Sequence, residues 1–140
     1  MNIKDSCNVT SSVADCLDIT TNPDTSMLSQ KIDTSTKKLL IIFPGRGISG
    51  KGLLDKEFLE NRDIFKELKK YSIYLLYVDK KMKIKDSLVS DQSNMIYQQN
   101  YFKSAIHPHY ISYLNGTRQC EEHYLNNAKD ILHFLQCQSK

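Results

Sequence analysis

Gly45, Gly50 and Lys51 satisfy G-x-x-x-x-G-K, the spacing at which backbone N–H groups and a lysine cradle phosphates. Such a loop continues with Ser or Thr, whose hydroxyl binds magnesium, and Gly52 stands there instead. Asp79 closes the apolar run "SIYLLYVD", where an acidic partner of a phosphate loop would sit. Sulfur offers a second chemistry. Cys7, Cys16, Cys120 and Cys137 form neither C-x-x-C nor a zinc spacing, and the four histidines do not complete a metal site. No metal and no cofactor is therefore expected. Cys137 falls on an apolar helix and reads as a buried free thiol. Cys7 and Cys16 are near enough in sequence to bridge locally, but a reducing compartment opposes a lasting bond.

The elements that would position these groups follow from periodicity and punctuation. Residues 1–24 are rich in Ser, Thr, Asp and Asn with little apolar pattern, so they read as a loosely ordered N-terminal arm, leaving one domain over 25–140. Pro23 and Asp24 open a short helix, "DTSMLSQKI". "KLLIIF", residues 38–43, is continuously apolar, as a strand buried on both faces must be. After the glycine turn, Leu53, Leu54, Phe58 and Leu59 fall at helical spacing. Asn61 then caps a helix with Ile64, Phe65 and Leu68 on one face. "SIYLLYVD", residues 72–79, is a second buried strand, parallel to the first through a right-handed crossover. Residues 80–94 are polar and weakly periodic and read as a loop, with a helix in "MIYQQNYFKSA". "HYISYL", 109–114, is a third strand, and Asn115-Gly116 turns it into a hairpin with "TRQCEEHY". A helix carrying Ala128, Ile131, Leu132 and Leu135, capped by Asn126 or Asn127, closes the chain. From residue 38 the order is β-α-β-α-β-β-α, an α/β class with a central mixed sheet of four or five strands and helices on both faces.

Composition limits the partners. With 140 residues the chain suits one buried core. The net charge of +3 is uneven: residues 1–36 carry two Lys against five Asp, while residues 37–85 carry 13 basic against six acidic groups. The lysines scatter over helix and loop positions and read as a solvated face. With no aromatic-and-basic RNA-binding signature, nucleic acid is not expected as a partner. No stretch approaches the roughly 18 apolar residues of a membrane helix, so no membrane partner is expected either. The N-terminus lacks the apolar core of a secretory signal, which reads as cytoplasmic, or as periplasmic or secreted if a leader has been removed. Asn8 and Asn115 match the glycosylation pattern, which matters only in a secreted chain. His109, His123 and His133 read as strand or helix surface, and the tyrosines at 71, 74, 77, 97, 101, 110 and 113 as core and edge packing.

The succession of elements resembles the thioredoxin-like superfamily, in particular the C-terminal thioredoxin domain of bacterial thiol–disulfide interchange proteins. Phe43 and Gly45 hold places in the family's F-x-G-x-x-C-x-x-C turn. Asn61 and the Ile64–Leu68 face follow, then "LLYVD", then "QQNYF", then "AIHPHYISYLNG". The resemblance covers about residues 27–137 and rests on the succession rather than on any single motif. Pro108 falls on the family's cis-proline, so the resemblance implies a cis His107–Pro108 bond with Ile48 and Pro108 as surface neighbours.

The two cysteine positions of the turn are occupied by Ile48 and Lys51. The family's first cysteine attacks as a thiolate favoured by a helix N-terminus and the second resolves the mixed disulfide; neither Ile nor Lys performs those steps. The resemblance therefore implies a redox-inactive, degenerate thioredoxin-fold module, not an enzyme, that binds a protein or peptide by strand addition. The positions matching the turn and the cis-proline are Arg46, Ile48, Ser49, Lys51, Ile106, His107 and Pro108. Two alternatives stand beside this reading. One is a thiol–disulfide oxidoreductase using a cysteine outside the turn, such as Cys120, which has no resolving cysteine beside it in sequence. The other is nucleotide binding through the glycine-rich loop 45–52.

Overall fold

In a computed structural model, residues 16–44, 54, 56–78 and 87–138 are described. They form a five-stranded mixed sheet in the order β1-β3-β2-β4-β5. The strands are β1 (Asp18–Thr21), β2 (Lys38–Phe43), β3 (Tyr71–Leu75), β4 (His109–Leu114) and β5 (Thr117–Glu122). Helices α1 (Thr25–Thr34), α2 (Lys56–Leu59), α3 (Arg62–Leu68), α4 (Ser87–Tyr101) and α5 (Ala128–Gln136) complete the chain. β1 and β2 both run parallel to β3, whereas β4 is antiparallel to β2 and to β5.

β2 lies at the centre, and its unbroken apolar run is explained by what lies on each side. Leu40 and Ile42 join Tyr71, Ile73 and Leu75 in a layer with Ile64 and Leu68 of α3 and Ile131, Phe134 and Leu135 of α5. Leu39, Ile41 and Phe43 point the other way, onto Leu28 and Ile32 of α1 and Met95 and Tyr97 of α4. Alternation with period two thus divides one strand between two cores.

The helix starts follow capping chemistry. Asp24 accepts from the Met27 N–H at 3.0 Å, Asn61 from Asp63 and Ile64 at 3.0 and 3.2 Å, and Asn127 from Asp130 at 2.9 Å. Asn115 (φ 52) and Gly116 (φ 80) are both left-handed, as a two-residue hairpin of right-twisted strands requires.

Two expectations are corrected. Residues 18–21, read as part of the arm, form edge strand β1. Its four residues, DITT, are too few and too polar to show a pattern; Asp18 is tied in by the Ser72 hydroxyl at 2.9 Å. Residues 87–94, read as loop, are the first half of α4. The inward stripe of that helix includes Asn94 and Gln98, both buried and one turn apart, so hydrophobic periodicity could not reveal it. The Asn94 amide donates to Asn22 Oδ1 and the Tyr77 carbonyl, each at 2.9 Å, and the same Asn22 oxygen receives the Tyr77 N–H at 3.0 Å. Among the described residues no helix is long and apolar enough to cross a membrane.

Candidate functional site

Antiparallel pairing sets Phe43, the last residue of β2, opposite His109, the first of β4. The chain leaving β2 toward the glycine turn therefore starts beside the segment Ile106–Pro108 that enters β4. The His107–Pro108 bond is cis, as the resemblance implied. Of the seven candidate residues, Arg46, Ile48, Ser49 and Lys51 lie outside the described residues, as do Gly45 to Gly52 as a whole and Asp79. Ile106 is 54% exposed, and His107 and Pro108 are half-buried.

What holds this segment is Gln98, with no exposed surface. Its Nε2 donates to the Ile106 carbonyl at 3.1 Å and lies 3.0 Å from His109 Nδ1. Its Oε1 is 2.6 Å from His107 Nε2. The Ile106 carbonyl can only accept, so the amide nitrogen must face it, and that choice fixes both neighbouring rings. His107 donates from Nε2. His109 accepts at Nδ1 and carries its proton on Nε2, which donates to Glu121 Oε2. The other Glu121 oxygen receives Arg118 Nη1 at 3.1 Å. His123 Nδ1 lies 3.0 Å from the Pro108 carbonyl, so Nδ1 is the protonated nitrogen of that ring.

His109 is wholly buried, which corrects its reading as a surface histidine. It stacks on His123 at 4.4 Å between centroids and packs against Phe43 and Phe102. Burial pushes its pKa below the ordinary histidine value, against the opposing pull of the hydrogen-bonded Glu121 carboxylate. The ring is neutral at neutral pH.

A β-bulge assembles this group. Leu114 pairs with Thr117 and Tyr113 with Arg118, but Ser112 pairs with Cys120, so the register skips Gln119. Paired in plain hairpin register with no residue skipped, this same sequence would set His109 opposite Glu122 and send Glu121 and His123 to the other face. The sequence signal, a Glu-x-His across a hairpin from a His, is legible only once the bulge is known.

The same shift turns Cys120 toward α5, where it forms a disulfide with Cys137, Cα atoms 6.3 Å apart. Cys16 is disulfide-bonded as well. These bonds correct three expectations: Cys137 is not a free thiol, Cys120 has a cysteine beside it, and Cys16 holds the kind of bond that a reducing compartment would oppose. The Cys120–Cys137 bond borders an open cavity of about 520 Å³ that Glu122, Asp130, Tyr124 and His133 also line. Carboxylates and a helix C-terminus, where Cys137 is the cap residue, disfavour a thiolate. The bond suits a clamp between edge strand and helix better than an exchange centre.

No protein-family model matches this chain, and no curated protein matches it.

Proposed function

We propose that this chain is a degenerate thioredoxin-fold module that binds a protein or peptide along Ile106–Pro108, without thiol chemistry at the turn after β2. The observation that carries this reading is the Phe43–His109 pairing: the end of the strand that precedes the family pattern's turn lies beside the strand that its X-Pro segment enters. Parallel β2 and β3, an antiparallel hairpin and a closing helix are the arrangement the resemblance implies. Ile106 presents an apolar side chain at that edge, while Gln98 fixes the backbone beneath it. A segment with an exposed apolar residue and a backbone held by a buried amide is suited to strand addition, in which backbone groups supply affinity and side-chain contacts supply selectivity. The disulfides favour an oxidising compartment over the cytoplasm.

Selection of extended peptides from a displayed library against the oxidised protein tests the reading. Binders are expected to lose at least about tenfold in affinity, roughly 1.4 kcal/mol, to Ile106→Asp with circular dichroism unchanged. Binders indifferent to that substitution would refute the assigned edge. In an insulin-reduction assay no turnover is expected, and turnover that depends on Cys120 would establish the oxidoreductase alternative instead. Magnesium-dependent ATP binding abolished by Lys51→Ala would favour the nucleotide reading.

A further inference from the structure

His109, Glu121 and His123 each bring one ligand atom to a common point, all within 4.8 Å of one another. We propose that these three side chains form a tripod for a borderline divalent transition-metal cation, zinc in the simplest case, with a fourth position open to water or a partner's side chain. The backbone supplies the preorganisation. Glu121 lies on β5 and His123 is the first residue past its end, two positions on, while His109 opens the neighbouring strand β4, so the end of one hairpin brings the three together. Two imidazoles and a carboxylate with one vacant position are a donor set that suits zinc in tetrahedral geometry.

The outer contacts fit the same purpose. His123 gives its Nδ1 proton to the Pro108 carbonyl, which leaves Nε2 as the unprotonated, ligating nitrogen. Arg118 holds Glu121 Oε1 and leaves Oε2 for the metal. His109 is the member that must change. Its Nε2 proton now points at Glu121, and ligation requires that proton to sit on Nδ1 instead. Gln98 would then turn its amide so that Oε1 accepts from Nδ1, at the expense of its bond to the Ile106 carbonyl, and its Nε2 would face His107 Nε2, which must in turn become an acceptor with the His107 proton on Nδ1. No proton is gained or lost: one moves across each of the two rings. Tetrahedral zinc at about 2.0–2.1 Å from each donor separates the donors by about 3.4 Å, and each imidazole lone pair lies in its ring plane, so closure requires the His123 ring to tilt out of its stack on His109, from which its plane now departs by only 17°.

Because His109 is fully buried, its replacement could unfold the chain, and the test uses its half-buried partners. Zinc is titrated calorimetrically into the oxidised, chelator-stripped protein at neutral pH without thiol reductant. One equivalent is expected to bind, with affinity reduced at least about tenfold, the lower end of what loss of even an outer-shell partner costs, in both His123→Ala and Glu121→Gln. His133→Ala, on α5, is expected to bind as the parent does. Long-range ¹H–¹⁵N spectra of the histidine rings supply a signature that folding alone does not produce: the His109 proton moves from Nε2 to Nδ1 on adding zinc. No saturable uptake, uptake unchanged in both variants, or a His109 ring that keeps its Nε2 proton at saturation would each overturn the site.

Discussion

The Tyr71 hydroxyl, on β3, donates to the carbonyl of Leu135, on α5, at 2.6 Å across 64 residues of sequence. The ring is 1% exposed, so this bond lies within the core that joins the sheet to the last helix. Burial, with a smaller contribution from the Glu67 carboxylate, pushes the Tyr71 phenol up to about 12. Tyr97 is pushed to about 12 as well, chiefly by burial. A phenol whose folded pKa exceeds its unfolded value stabilises the fold fully below the unfolded pKa, near 10, and loses that contribution as pH rises toward the folded value. The expected outcome is a urea midpoint that falls between pH 10 and 12, with absorbance near 295 nm showing tyrosines that titrate only as the chain unfolds. Tyr71→Phe should flatten part of that fall. A midpoint constant across the interval would contradict the assignment.

The Cys120–Cys137 bond closes a loop of 17 residues' separation, for which chain entropy gives about 3 kcal/mol of stabilisation. The Cys120→Ser/Cys137→Ser double variant should lose stability of that order in denaturant titration, with α5 amides the first to lose hydrogen-exchange protection. A loss below about 1 kcal/mol would mean that the reduced chain already holds α5 in place.

Gln98 serves three backbone or ring partners at once. Gln98→Leu keeps approximate volume but strands the Ile106 carbonyl, His107 Nε2–H and His109 Nδ1 in or near the core. At roughly 1–3 kcal/mol for each buried polar group left unmade, the expected cost is at least about 3 kcal/mol by urea unfolding. A cost under about 1 kcal/mol would show that water or a ring flip replaces the amide.

These positions also mark the boundary of what the sequence discloses. β2, β4, the Asn61 cap and the Asn115–Gly116 turn are legible because each depends on local chemistry: an apolar run, a capping amide, two left-handed residues. Gln98 and Asn94 are not, because a buried amide looks like a surface residue until its partners are known. Nor is the His109 cluster, which depends on the register that the opposite strand takes beyond its bulge. Of the candidate peptide edge, Ile106, His107 and Pro108 were readable from the X-Pro pattern, but the amide that fixes them lies on α4, whose first half resembles a loop in composition.

Gln119 is the residue skipped at that bulge, and its deletion separates register from bulge geometry. With Gln119 removed, the turn-proximal pairs Leu114–Thr117 and Tyr113–Arg118 continue without a skip. Ser112 still meets Cys120 and Ile111 still meets Glu121, because the deletion takes out the one residue by which the two halves of the ladder are offset. Every side chain beyond the bulge keeps its face. What changes is the extra local twist that a bulge imparts. The deletion variant is therefore expected to fold, to show no free thiol at Cys120 or Cys137 with Ellman's reagent, and to lose no more than about 1–2 kcal/mol, near the centre of the range for single changes of all kinds. Inserting a second residue beside Gln119 should do the reverse, sending Cys120, Glu121 and His123 to the opposite faces and leaving two reactive thiols. If the deletion, and not only the insertion, releases thiols, the twist of the bulge itself carries β5 to α5, and register alone is an insufficient account of the hairpin.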